Sequence, residues 1–189
     1  MRTPEPVVLQ GQHVRLEPLT QDHIPDLLVA AQDDEVWTWM PVQRPQTEQD
    51  VRRLVDAQPG NPVWAVVVDG RAVGTTSYLD VDPTVSGLEI GWTWYRRELW
   101  ATSVNPECKL LLLGHAFDDL GVERVTLKTD GRNSRSQAAI RKLGCAYDGT
   151  LRHHRLRPDG TVRDTAYFSL LTTEWAAARD GLRRRLGRA

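Results

Sequence analysis

Three groups of residues carry chemistry worth weighing. Glu89 lies in the run Leu88-Glu89-Ile90-Gly91-Trp92-Thr93-Trp94-Tyr95, which alternates with strand period. Leu88, Ile90, Trp92 and Trp94 fall on one side, Glu89, Thr93 and Tyr95 on the other. A carboxylate placed this way suits a general base that takes a proton from an attacking nucleophile. It equally suits a polar position on the less buried sheet face. Asn133 and Ser136 stand three residues apart at a helix start, so they share a helical face. An asparagine there is a ligand, a cap, or both; a first-turn serine is an acid or a partner for free backbone N–H groups. The third group is the turn Trp100, Ala101, Thr102, Ser103, Val104, Asn105. Asn105 reads as an N-cap, Pro106 fits the first helical position and Glu107 the positive end of the dipole. Outward-pointing N–H groups at such a turn make an anion site, above all for phosphate.

These groups need elements to hold them, and the sequence supplies a full set. Residues 7–19 alternate loosely as a first strand. Thr20 caps a helix with Ile24, Leu27, Leu28 and Ala31 on one face, and Pro25 lies awkwardly inside it. Residues 33–41 form an acidic, then aromatic loop. Thr47 and Asp50 open a short second helix, which stops at residues 58–62. Two apolar runs around Asp69-Gly70 predict a hairpin. After the strand with Glu89 comes a helix with Cys108, Leu111, Leu112, Ala116 and Leu120 on its apolar face, ended by Gly121. A strand over 124–129, a helix over 134–143, a hairpin across 157–160 and a tail helix ending in Arg183–185 and Arg188 complete the chain. The order predicts a single mixed sheet with helices on its faces, α/β or α+β.

At 189 residues one compact domain spanning 1–189 is expected. A net charge of −1 gives no global reason to expect nucleic acid or an anionic membrane as partner. Only Lys109, Lys128 and Lys142 are lysines among 24 cationic residues, a bias that fits genome composition. The two cysteines lack metal-ligand spacing, the N-terminus lacks a signal-peptide layout, and no apolar run approaches a membrane span; a cytoplasmic protein without metal is expected.

The run Leu88-Glu89-Ile90-Gly91-Trp92, then Trp100-Ala101-Thr102-Ser103-Val104-Asn105-Pro106-Glu107, His115-Ala116-Phe117, Asn133-Ser134-Arg135-Ser136 and Arg141-Lys142-Leu143-Gly144 together resemble the GNAT superfamily of acyl-CoA N-acyltransferases, in its ribosomal-protein-alanine acetyltransferase-like branch. The resemblance implies a mostly antiparallel sheet in which two central parallel strands splay apart, with helices on both faces. It implies acetyl-CoA as co-substrate, its pyrophosphate wrapped by Trp100–Asn105, its pantetheine between the strands carrying Glu89 and Leu127, and its arm met by Asn133. Ser136 is expected near the thioester sulfur, and backbone at Trp92, Thr93 and Trp94 near the oxyanion. Gly91 agrees with a bulge that starts the splay.

The resemblance breaks at one place. The family's glycine-bearing loop maps onto Trp100, Ser103 and Asn105, with no glycine. A left-handed serine at Ser103 is expected to cost roughly 1–2 kcal/mol.

Trp37, Trp39 and Met40, with Glu89, are the candidates for the acceptor pocket; an aromatic loop packed on the core or on a homodimer partner is the other reading. Direct attack needs a neutral amine, which favours an α-amine (pKa about 7.7–8.0) over lysine (about 10.4). The acceptor is thus a small-molecule or peptide amine. A catalytically silent acyl-CoA- or peptide-binding member of the same fold is the alternative.

Overall fold

The computed structural model describes residues 1–58 and 60–187. The stop at residues 58–62 includes Pro59, and the arginine tail includes Arg188; both positions lie outside the described residues. Eight strands form one sheet: β1 Leu9–Gln10, β2 Arg15–Pro18, β3 Val63–Val68, β4 Arg71–Asp82, β5 Gly87–Tyr95, β6 Arg124–Asp130, β7 Ala146–Leu156 and β8 Val162–Leu171. Their order is β1-β2-β3-β4-β5-β6-β8-β7. Of the pairs formed by described residues, β5–β6 alone is parallel.

Two cores flank the sheet. On one face α4 (Val104–Gly114) and α6 (Thr172–Leu186), with Ile140 of α5 (Ser134–Lys142), cover Leu88, Ile90, Tyr95, Val125, Leu127 and Phe168. On the other, α1 (Ile24–Ala30), α2 (Asp34–Trp37) and α3 (Glu48–Asp56) cover Ala65, Val67, Ala72 and Trp94.

Local chemistry accounts for most element ends. Thr47 and Asp50 form the expected capping box. Asp69 and Gly70 both take positive φ, as a two-residue hairpin turn requires. Gly121 takes φ +69 beyond α4, whose last turn widens into a π-helical segment, His115–Asp119. Pro25 is accommodated because a 3₁₀ turn, Gln21–His23, comes first and leaves proline in the first turn of α1. The stretch read as an acidic loop contains α2, capped by Asp33, whose side chain accepts from the Glu35 N–H at 2.8 Å.

Two expectations fail in an informative way. The helix after the turn begins two residues earlier than expected: Ser103 is its N-cap, and Asn105 and Pro106 lie inside the first turn. The strict alternation of β5 breaks as well. Between the pairs Ser77–Gly91 and Thr75–Trp94, β4 has one residue and β5 has two, Trp92 and Thr93. This bulge flips the faces beyond it, since side-chain direction has period two. Tyr95 joins Leu88 and Ile90 in the α4 core, while Trp94 enters the other core, 5.0 Å from Trp37.

Glu107 ties α4 to the N-terminal strands. Its buried carboxylate accepts from the N–H groups of Gln12 at 2.5 Å and His13 at 2.9 Å. Charge-assisted bonds of this kind contribute about 1.5–3 kcal/mol, and removing the acceptor strands both amides. Glu107→Ala is expected to lower the unfolding free energy by about 2–4 kcal/mol in urea titration. A loss below about 0.5 kcal/mol would show that the bonds add nothing net.

Candidate active site

β5 and β6 pair only at Gly87–Arg124, Leu88–Val125 and Glu89–Thr126, then part. The opening is lined from both faces of the sheet. Asn105 and Lys109 of α4 and Ser136, Ala139 and Ile140 of α5 contribute from one side; Val36, Trp39, Met40 and Gln58 contribute from the other. The cleft, about 820 Å³, therefore passes between the strands, a size typical of a small-molecule site.

Glu89 stands beside the last paired residues and is buried. Gly91 makes room for it: a Cβ there would lie 2.6 Å from Leu79 Cδ1 and 2.7 Å from Glu89 Oε1. The carboxylate ion-pairs with Lys128 Nζ at 2.5 Å, and Asp80 meets the same ammonium at 3.2 Å. Burial raises the Glu89 pKa, and Lys128 only partly offsets it. Burial works against the Lys128 ammonium, yet Glu89 and Asp80 hold its pKa above the ordinary value. Glu89 is thus more basic than a surface carboxylate while still next to a cation.

The bulge organises the opposite side. Trp92 takes φ +48, a left-handed conformation that costs a non-glycine residue roughly 1–2 kcal/mol. Beyond it Thr93 and Tyr95 turn toward α4. Lys109 Nζ donates to Thr93 Oγ1 at 3.0 Å, and Tyr95 Oη donates to Asn105 Oδ1 at 3.3 Å. Lys109 and Asn105 are four residues apart, one above the other on the same helical face. Lys109 is buried with no carboxylate within ion-pair distance among the described residues. Burial drives its pKa down to about 8.

At the mouth, two guanidinium groups lie against the Trp100 ring, Arg135 at 3.3 Å from its centroid and Arg97 at 4.5 Å. Glu35 bridges both arginines, at 3.8 Å and 2.7 Å. Ser103 does not take the expected strain: its φ is −66, and Ala101 is the left-handed residue, at φ +61.

Of the residues singled out from the sequence, Glu89, Trp92, Thr93, Trp94, Trp100, Ala101, Asn105, Asn133, Ser136, Trp39 and Met40 line the cleft. Thr102, Ser103 and Val104 do not; Thr102 caps its own turn through Leu99 O, and Val104 is core. Trp37 is also core, its indole N–H donating to Ala31 O at 2.9 Å, so an acceptor-wall role is unsupported. Asn133 is a cap: its Oδ1 accepts from the Ser136 N–H at 2.9 Å. Lys109, Lys128, Asp80, Arg97 and Arg135 were not anticipated. The sequence held one signal for Lys109, a lone cation inside the apolar run Cys108–Leu113.

The model of the acetyltransferase (GNAT) domain family matches residues 13–146. The chain is 28% identical over 110 residues to "Putative ribosomal N-acetyltransferase YdaF" of Bacillus subtilis (strain 168), covering 58% of this chain and 59% of that protein. It thus spans well under two thirds of that curated relative's length. Among solved structures, a "putative acetyltransferase" from T. thermophilus is 37% identical over 97% of this chain and 99% of its own, with a TM-score of 0.89. A GCN5-related N-acetyltransferase from Brucella melitensis is 27% identical over 96% and 86%, with a TM-score of 0.90.

The lowered Lys109 pKa has a sign that can be checked. Below about pH 8 the folded chain holds a buried cation, and folding is penalised in full. Between about 8 and the ordinary 10.5 the unfolded state binds more protons, so stability rises with pH. Lys109→Met removes that penalty and is expected to raise stability at pH 7 by about 1–3 kcal/mol, with the gain fading by pH 10.5. Melting curves of both proteins across that range supply the measurement; a destabilised variant at pH 7 would refute the assignment.

Proposed function

The chain belongs to the GNAT acetyltransferase domain family, and from that premise we propose that it transfers an acetyl group from acetyl-CoA to a primary amine by direct attack. The observation that carries this reading is the cleft through the sheet, with a buried carboxylate at the vertex where β5 and β6 part. The acyl donor enters from the α4–α5 side, its arm between the strands. The acceptor enters from the side of Trp39 and Met40.

The mouth fits the phosphates of CoA without glycine. Ala101 supplies the left-handed turn, and Arg97 and Arg135 bring two positive charges to its edge. Arginine offers planar, forked donors suited to phosphate. Within the cleft Glu89 takes the proton of the attacking amine, and backbone around Trp92 and Trp94 faces the developing oxyanion. Ser136, whose backbone is fixed by Asn133, offers a hydroxyl to the departing sulfur. A weakly basic acceptor is favoured, because little of a lysine is neutral at pH 7. A protein N-terminal α-amine is the preferred class, in keeping with a relative named for ribosomal N-acetylation. We place the reaction in the cytoplasm; no described helix is long and apolar enough to cross a membrane.

The reading is tested by thiol release from acetyl-CoA against a panel of α-amines and lysine analogues; no release with any amine, while acetyl-CoA still binds, would leave a silent acyl-CoA-binding protein. Within the active protein, Glu89→Gln is expected to lower kcat by roughly 10²–10⁴-fold with acetyl-CoA binding retained. The wild-type rate falls on the acid side as Glu89 is protonated, at a pH above the ordinary carboxylate range because burial raises that pKa. Ser136→Ala is expected to cost kcat about 10–100-fold with KM for acetyl-CoA little changed, since a thiol with pKa near 8.5 leaves with modest help. Unchanged kinetics in both variants would return both residues to structural roles.

A further inference from the structure

Two of the chain's three lysines line the cleft, in a protein whose default cation is arginine. Lys128 is explained by its carboxylates. Lys109 is not. It has three N–H donors, of which one is used, on Thr93 Oγ1 at 3.0 Å, and no described carboxylate pairs with it. An ammonium group buried without a counter-ion is costly, and replacing it by an apolar residue would be cheaper. Its position points to an anion that comes and goes.

The transfer generates one such anion inside the cleft. The amine nitrogen bonds to the thioester carbonyl carbon and its proton passes to Glu89. The C–S bond then breaks, and the electron pair stays on sulfur as a thiolate. If the carbonyl is held at the Trp92–Trp94 backbone, its sulfur lies one bond away, beside Thr93, whose hydroxyl Lys109 grips. We propose that Lys109 is a catalytic residue that holds the CoA thiolate as an ion pair, so that the leaving group departs charged and is protonated only afterwards. Ser136 shares the sulfur by hydrogen bonding, but a hydroxyl does not neutralise it. This inference rests on the acetyl-transfer reading above.

The surroundings make the pair separable in titration. The titratable neighbours are Cys108 on α4 and Cys145 ahead of β7, both pushed by burial to about 12, and Tyr95 on β5, raised further by burial. Thr93, from β5, does not titrate. On the far side of the split Glu89, Asp80 and Lys128 are already paired with one another. Thiolate absorbance reads the sulfur itself, so the proton of Glu89, whose pKa burial also raises, does not enter this titration.

The test titrates free CoA bound to the intact protein, following ultraviolet thiolate absorbance with desulfo-CoA as the blank. In the wild type the bound thiol is expected to ionise at least tenfold more readily than free CoA, whose pKa is about 8.5. In Lys109→Met that shift disappears or reverses, kcat falls about 10–100-fold, and KM for acetyl-CoA changes little. A wild-type thiol that titrates as free CoA does, or a shift that survives in Lys109→Met, overturns the assignment while leaving acetyl transfer intact. A wild-type chain that does not bind CoA in calorimetry overturns both. The wild-type titration decides by itself if the variant fails to fold.

Discussion

One extra residue in β5 governs the rest of the site. Trp92 takes a left-handed backbone that costs roughly 1–2 kcal/mol, and the strand then resumes with its faces exchanged. Thr93 and Tyr95 reach α4 because of that exchange, and Trp94 reaches the opposite core. The strain is sustained by what lies beyond it: Trp94 packs 5.0 Å from Trp37, and the backbone at Trp94 sits so close to Gly74 that no side chain fits there. Burial of one tryptophan is worth more than the local penalty. Past Thr126 β6 no longer pairs with β5, although it keeps β8 as far as Asp130, and the cleft follows from that gap.

The gap separates two lysines that differ in what the fold provides for them. Lys128 sits between Glu89 and Asp80, so its charge is matched and its pKa stays high. Lys109 has a threonine hydroxyl and a low-dielectric surround, so its charge is held at the edge of stability. The first arrangement tunes a carboxylate; the second keeps a cation ready for a partner. Both lie within the span where the strands have parted, one toward each face of the sheet. On the proposed reading the proton leaves on one side and the sulfur on the other, so the two charges formed in the reaction do not meet the same group.

Most of the element order, the hairpin at Asp69-Gly70, the capping box at Thr47 and the stop at Gly121 after the π-helical segment were legible because each depends on residues near in sequence. The splay was expected from the resemblance rather than from the residues. The bulge was only half legible: Gly91 suggested one, but Gly91 clears space for the Glu89 carboxylate while the neighbouring Trp92 bears the unusual backbone. A tryptophan in that conformation contradicts local preference, and only the far contacts of Trp94 enforce it. Trp37 misled for the same reason, since an aromatic loop and a buried one-turn helix read alike until α1 and Trp94 close over it. The partners of Glu89 come from β4 and β6, distant in sequence, so Asp80 and Lys128 gave no sign of their role.

The turn before α4 shows how a site can keep its task with different residues. Glycine there would give left-handed backbone without cost, and Ser103 looked like the residue forced to replace it. Starting the helix two residues early puts Ser103 at φ −66, in ordinary helical geometry, and moves the left-handed position to Ala101, whose side chain is the smallest after glycine. The penalty falls where the least steric bulk meets it. What glycine would add by letting backbone approach phosphate closely, Arg97 and Arg135 can add as charge, held in place by Glu35 and the face of Trp100. Their cation–π and ion-pair contacts fix two otherwise mobile side chains before any ligand arrives, so less entropy is lost when phosphate binds. A loop without glycine is therefore compatible with CoA binding, by shifting recognition from amide dipoles toward preorganised guanidinium groups.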